Sequence, residues 1–281
     1  MKSKLFVLGI GLVLLSTTGC NKLKSRDRIN KGIQSYKGAR YSDAVEFFKE
    51  AVDLDPSNVN GRLYLATAYM SQYIPGAESP DNMQLAKQAK EEFIKVLEAH
   101  PNDTTALASL ASLSYQQAQG MPDLDQKLKK LDEAKEWYLK LISADPQSKE
   151  GFYSLAVIDW VKWYAAWMKA RADLGMKPEE AGPLKDKKVK EELKEKYAAI
   201  VDDGMKNLDK ALQIDKDYDD AMAYMNLLIR EKADLDDTPD QYKADVEKAD
   251  VWVQKALDTK KMKAAKEAAK AAGGITAEAP K

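Results

Sequence analysis

Three short strings recur at one interval along this chain: AVDLDP ending at Pro56, VLEAHP ending at Pro101 and LISADP ending at Pro146, each 45 residues after the last. Two looser copies follow, ALQIDK ending at Lys216 and ALDTKK ending at Lys261, again 45 apart. A fixed period of this length means an array of one small unit rather than a single globular core. Such a unit cannot bury its apolar face alone, so neighbours must stack. The extended surface that results favours recognition of a partner over catalysis.

Ahead of the first string, Gly32, Tyr36, Tyr41, Ala44, Phe48 and Ala51 fall three to five positions apart, which sets them along one stripe of two helices. The stretch GIQSYKGARYSDAVEFFKEAVDLDP resembles the tetratricopeptide repeat, a helix hairpin with a small residue and an aromatic in its first helix. Its second helix carries Ala, aromatic and Ala, and a Pro closes the unit. Here those places fall to Gly32, Tyr36, Ala44, Phe48, Ala51 and Pro56. Small residues let helices approach, aromatics fill the space beside them, and Pro ends the second helix because it cannot continue the hydrogen-bond ladder. Later units supply Ala66, Tyr69, Ala89, Phe93 and Pro101, then Ala111, Tyr115, Ala134, Tyr138 and Pro146. The fourth gives Ala156, Trp160, Gly204 and Ala211, and the fifth Asn226, Ala249, Val253 and Ala256. The expected fold is all-α: an α-solenoid of about five tetratricopeptide-like hairpins over residues 26–261, followed by an Ala/Lys-rich tail, 262–281, disordered at its end.

The units differ in length between their two helices. Pro56 follows Gly32 by 24 positions, the second, third and fifth units span 35 and the fourth 60. Eleven extra residues make about three helical turns, which lengthens a hairpin without rotating its faces. Pro75, Gly76, Pro80, Gly120, Pro122 and Pro239 interrupt these inserts, so each is expected to be part helix and part loop. Ser79-Pro80-Asp81 and Thr238-Pro239-Asp240 read as cap, first position and first-turn acid of a helix.

The N-terminus carries Lys2 and Lys4, an apolar run from Leu5 to Leu15, then Ser16, Thr17, Thr18, Gly19 and Cys20, the sole cysteine. A basic start, a short apolar stretch and small residues read as a secretion signal over 1–19. The end of that signal resembles the bacterial lipobox, with Thr17 where Leu is usual. The resemblance implies cleavage before Cys20 and lipid attachment to it. Asn21, rather than Asp, after the Cys implies the outer membrane, facing the periplasm. Residues 20–25 would be a short membrane-proximal linker, and Lys22, Lys24, Arg26, Arg28 and Lys31 either touch anionic headgroups or form a solvated face.

Lys and Arg number 44 against 45 Asp and Glu, a balance that speaks against nucleic acid as partner. One histidine, His100, leaves no room for most catalytic or metal constellations, and no phosphate loop or zinc-protease motif occurs. The Asp234–Asp240 stretch lacks the Gly and closing Glu of a calcium loop. No cofactor and no enzymatic activity are expected. Trp160, Trp163, Tyr164 and Trp167 share one helical face, which reads either as an aromatic platform or as core packed on Tyr197, Ile200 and Val201; the spacing favours core.

The repeat resemblance implies a groove lined by first helices. Carried over unit by unit, its wall holds Asn60, Leu63, Thr67 and Met70, then Thr105, Ala108, Ser112 and Tyr115, then Tyr153, Val157 and Trp160. This mixed lining suits a protein or peptide partner, with the membrane met through the N-terminal lipid. The expected function is a lipid-anchored adaptor or scaffold of the cell envelope. A subunit of an outer-membrane-protein or pilus assembly machine is the alternative, and a cell-wall hydrolase a more distant one.

Overall fold

The 45-residue spacing comes from one turn built repeatedly. In the computed structural model, which describes residues 2–177 and 179–275, the backbone N–H of Asn58 bonds to the carbonyl of Asp55 at 3.0 Å. Asp103 to His100, Ser148 to Asp145 and Tyr218 to Asp215 repeat that bond at 3.0, 3.1 and 3.2 Å. At three of these turns a side chain then caps the next helix: Asn58 accepts from the N–H of Gly61, Asp103 from Ala106 and Ser148 from Gly151. The fourth keeps the turn although Lys216 replaces Pro and Tyr218 offers no capping oxygen. Proline is therefore dispensable where the N–H···O bond closes the turn.

Ten α-helices follow among the described residues, with no strand. They form five consecutive hairpins: α1 (Lys2–Lys37) with α2 (Tyr41–Leu54), α3 (Val59–Met70) with α4 (Pro80–Ala99), α5 (Thr104–Gln119) with α6 (Leu124–Ala144), α7 (Lys149–Asp173) with α8 (Lys187–Ile214), and α9 (Asp219–Lys232) with α10 (Pro239–Ile275). A 3-10 turn, Ala233–Leu235, joins the last two. The all-α array of five tetratricopeptide-like hairpins expected from the sequence is what forms. Both proposed helix starts are present: Ser79 accepts from the N–H of Asn82, and Thr238 exchanges bonds with Gln241 in a capping box.

The chain divides into two compact units, 1–144 and 145–281. In the first, three hairpins share one apolar core. Ala44, Ala89 and Ala134 are fully buried at the helix contacts, beside Phe48, Phe93, Leu110 and Leu131. Gly32 lies flat under the Phe48 ring, leaving no room for a Cβ. The inserts of the second and third hairpins solve their extra length differently. The second adds turns to α4 and leaves a loop, 71–79, held by Asn82, whose side chain bonds both backbone groups of Ile74 and the carbonyl of Ala77, each at 2.8 Å. The third lengthens both helices and turns at Gly120, where a Cβ would stand 2.6 Å from the Gly76 nitrogen of the neighbouring insert.

In the second unit the insert of the fourth hairpin extends α7 and α8 and builds a second core of Trp163, Leu184, Val201 and Leu208. Trp163 is wholly buried and packs on Tyr197, ring centres 6.1 Å apart, so the inner side of the tryptophan stripe is core.

The linker expected at the N-terminus is revised. Residues 20–25 are not a linker but turns of α1, because nothing from Cys20 to Ser25 breaks a helix; Ser25 is buried and donates to the Ala51 carbonyl at 2.8 Å. At the other end α10 continues through the Ala/Lys tail to Ile275, as good helix formers allow. Of the final ten or so residues, expected to be disordered, 272–275 belong to that helix and 276–281 lie outside the described residues.

Candidate protein-docking surface on the first helices

The proposed groove residues distribute between the two units. In the first, α3 and α5 lie side by side, so Leu63, Thr67 and Met70 stand on one helix and Ser112 and Tyr115 on its neighbour. All five are half-buried, Asn60 and Thr105 are exposed, and Ala108 is half-buried. Thr67 and Ser112 spend hydrogen bonds locally: the Thr67 hydroxyl donates to the Leu63 carbonyl, and Ser112 accepts from Gln116. Nearer the N-terminus, Leu23, Arg26, Ile29 and Ile33 of α1 face Asn58, Asn60 and Tyr64 across an open cleft of about 910 Å3. Cys20 is exposed at the edge of the same unit.

In the second unit the geometry is more specific. Tyr153, Trp160, Tyr164 and Trp167 succeed one another along one face of α7, and Tyr224 of α9 slots between the first two. Ring centres run Tyr218 to Tyr153 5.1 Å, Tyr153 to Tyr224 5.5 Å, Tyr224 to Trp160 5.3 Å, Trp160 to Tyr164 4.9 Å and Tyr164 to Trp167 5.6 Å. Six rings thus touch in series, within the 4.5–7 Å range of favourable aromatic pairs. Tyr164 is 37% exposed, whereas Tyr153, Trp160, Tyr218 and Tyr224 are half-buried and Trp167 is buried. Val157, also carried to the groove, faces the core instead.

The strip is anchored from beneath by buried acidic side chains. The Trp160 indole N–H donates to Glu231 at 3.0 Å, and that of Trp167 to Asp234 at 2.7 Å. Arg171 pairs with Asp234 and donates to the carbonyls of Lys177 and Glu180, tying the long insert to the 3-10 turn. Burial pushes the Glu231 carboxyl up to about 7, against the pull of the Trp160 and Trp163 indoles; nearby Asp234 raises it further. The Asp234–Asp240 stretch is committed in the same way: Asp234 serves Arg171, Asp237 pairs with Lys194, and the Asp236 carbonyl takes Lys190.

One end of the strip is acidic. Burial raises the Tyr218 hydroxyl well above the ordinary tyrosine value, and Glu150, Asp220, Asp215 and Asp219 add to the shift. Tyr224 is raised by burial, opposed by its hydrogen bond with Tyr153 and reinforced by Asp220. Tyr218, Tyr224 and Glu231 were not singled out by their sequence. Their places depend on how α9 packs on α7, and one acid among 45 Asp and Glu carries no local mark of burial.

A family model described as "Tetratricopeptide repeat" matches residues 124–148, which are α6 and the turn into α7. Among solved structures, a double mutant of MamA RS-1 is 14% identical, covering 85% of this chain and 96% of that one, with a TM-score of 0.50. A MamA fragment from Desulfovibrio magneticus RS-1 is also 14% identical, over 85% and 96%, at 0.49. A thermophilic TPR protein of Thermus thermophilus is 15% identical over 86% and 97%, at 0.45. At this identity the likeness is one of fold. No curated protein sequence matches the chain.

Proposed function

We propose that this protein is a lipid-anchored adaptor of the cell envelope that binds a protein or peptide partner along its first helices. One observation carries the binding half of that reading: the series of aromatic rings on α7 and α9, part of it open to solvent and its indoles fixed by buried carboxylates. Aromatic side chains held rigid lose little entropy on docking and are the usual anchors of binding energy. A repeat fold supplies long surfaces of this kind.

Support for the anchor comes from the basic start, the apolar run and the exposed Cys20 that follows it. Cleavage before Cys20 would leave the first hairpin joined to the lipid by little more than one helical turn, since Ser25 already packs on Ala51. Leu23, 70% exposed, would then lie close to the bilayer, on the periplasmic face of the outer membrane in this reading. Mass spectrometry of the mature N-terminal peptide tests it. Diacylglyceryl and acyl mass on Cys20, with loss of membrane partitioning in Cys20→Ala, is the expected result. An unmodified Cys20 or a cut elsewhere would remove the anchor from the proposal.

A further inference from the structure

Close to Tyr218, at the end of the aromatic strip, stand the carboxylates of Glu150, Asp215, Asp219 and Asp220, and close to those acids the ammonium groups of Lys149, Lys260 and Lys263. Four carboxylates face three ammonium groups, and two pairs are already made: Lys149 bonds Asp215 at 2.6 Å and Lys263 pairs with Asp219, while Glu150 and Asp220 remain on the rim. Asp220 is exposed in the first turn of α9, and Glu150 in the first turn of α7, 3.8 Å from the already occupied Lys149. The tyrosine end also takes a cation within the chain itself, Lys149 lying 5.0 Å from the Tyr218 ring centre. Ring faces and carboxylates together favour a positive charge.

Toward the other end the character changes. Trp160 and Tyr164 present ring surface with the Trp160 indole N–H already used by Glu231, so what remains for a partner there is apolar contact. From Tyr153 to Tyr164 the strip rises about 16 Å along α7, the length of roughly five extended residues.

We infer that the strip docks an extended segment of a partner protein in which a lysine or arginine is followed or preceded, within about five residues, by proline or aliphatic side chains. The cation sits among Tyr153, Tyr224, Glu150 and Asp220, and the apolar residues lie on Trp160 and Tyr164. An acidic or phosphorylated segment is disfavoured by the same carboxylates. This rests on the reading of the chain as a protein-binding adaptor and adds the charge and conformation of what it binds.

The test is selection of random 12-residue peptides, displayed on phage, against the full soluble chain lacking residues 1–19, followed by affinity measurement on the synthetic winners. Selected peptides should share a Lys or Arg near Pro or aliphatic residues, and their affinity should fall as salt is raised. Reversing the rim with Glu150→Lys and Asp220→Lys should weaken binding about tenfold, and Tyr164→Ala by a similar factor, with helical content unchanged. Both carboxylates and the Tyr164 ring are exposed, so these variants are expected to fold. Winners that are acidic, or indifferent to the reversed rim yet sensitive to Tyr164→Ala, would overturn the charge assignment and leave the adaptor reading standing. Selection of no peptide that depends on Tyr164 would overturn the docking strip and, with it, the observation that carries the adaptor reading.

Discussion

The two units use the same hairpin for different ends. Among the described residues of 1–144 the buried polar side chains are neutral: Ser25, Ser35, Asn82 and Ser114. Among those of 145–281 they are ionisable: Asp159, Arg171, Lys190, Glu231 and Asp234. Four of the five tryptophans, at 160, 163, 167 and 252, are also in the second unit. The first unit needs only small residues under aromatics, as Gly32 under Phe48, and its inserts close with a loop or a glycine contact. The second carries an insert long enough to need a core of its own, and it binds that insert to the next repeat with a guanidinium, carboxylates and indoles. The difference teaches where specialisation enters a repeat protein: the period keeps the scaffold, and a long insert makes room for a site.

If that contrast is right, losing a buried charge should hurt the second unit far more than losing a rim charge hurts the first. Asp234→Ala leaves Arg171 buried without its partner and is expected to cost about 3–5 kcal/mol in denaturant unfolding. Glu50→Ala, which breaks the exposed pair with Arg28, should cost about 0–1 kcal/mol. Equal losses would erase the distinction between the units.

The next effect depends on pH. Glu231 holds its proton in the folded chain up to about pH 7, whereas an unfolded glutamate loses it near its ordinary value of 4.5. Between those values the folded state binds more protons, so stability falls as pH rises across that window. The full difference is on the order of 3 kcal/mol, present below pH 4.5 and lost above pH 7. Glu231→Gln, which can still accept from Trp160, should flatten this slope in thermal melts recorded from pH 4.5 to 7.5. A slope that persists in the variant would assign the titration to another group.

Packing gives a smaller effect, in the first unit. Ala134→Leu forces a larger side chain into a contact with no exposed surface and should cost about 1–3 kcal/mol, while Glu136→Leu on the solvent face should change little. The smallest expected change is at the turns. Asp103→Ala removes the cap bond to Ala106 and should cost about 1 kcal/mol, whereas Tyr218, which makes no cap bond, has none to lose.

The scaffold was legible because its rules are local. The turn strings, the caps at Ser79 and Thr238 and the small residues Ala44, Ala89 and Ala134 each follow from spacing within one hairpin. The site was legible only in part. Tyr153 and Trp160 were reachable from the repeat register, but Trp160 and Trp163 lie within one turn of each other and sequence spacing alone could not say which faced inward. That Tyr224 would lock between Tyr153 and Trp160, and that Glu231 would lie buried beneath them, depends on the crossing of two helices whose contacting residues are more than 60 positions apart in the chain. The helical run through 20–25 was missed for a simpler reason: a polar stretch after a signal reads as a spacer, yet contains nothing that ends a helix.

The central claim is that a partner meets this protein on the aromatic strip of the first helices. Placing a photoreactive benzoylphenylalanine at Tyr164, and in parallel at Lys210 on the exposed side of α8, tests it in intact cell envelopes. A discrete protein adduct from position 164 that is absent from position 210, and lost when Glu150→Lys and Asp220→Lys are added, is the predicted result. Adducts from position 210 alone, or the same adducts from both, would contradict it.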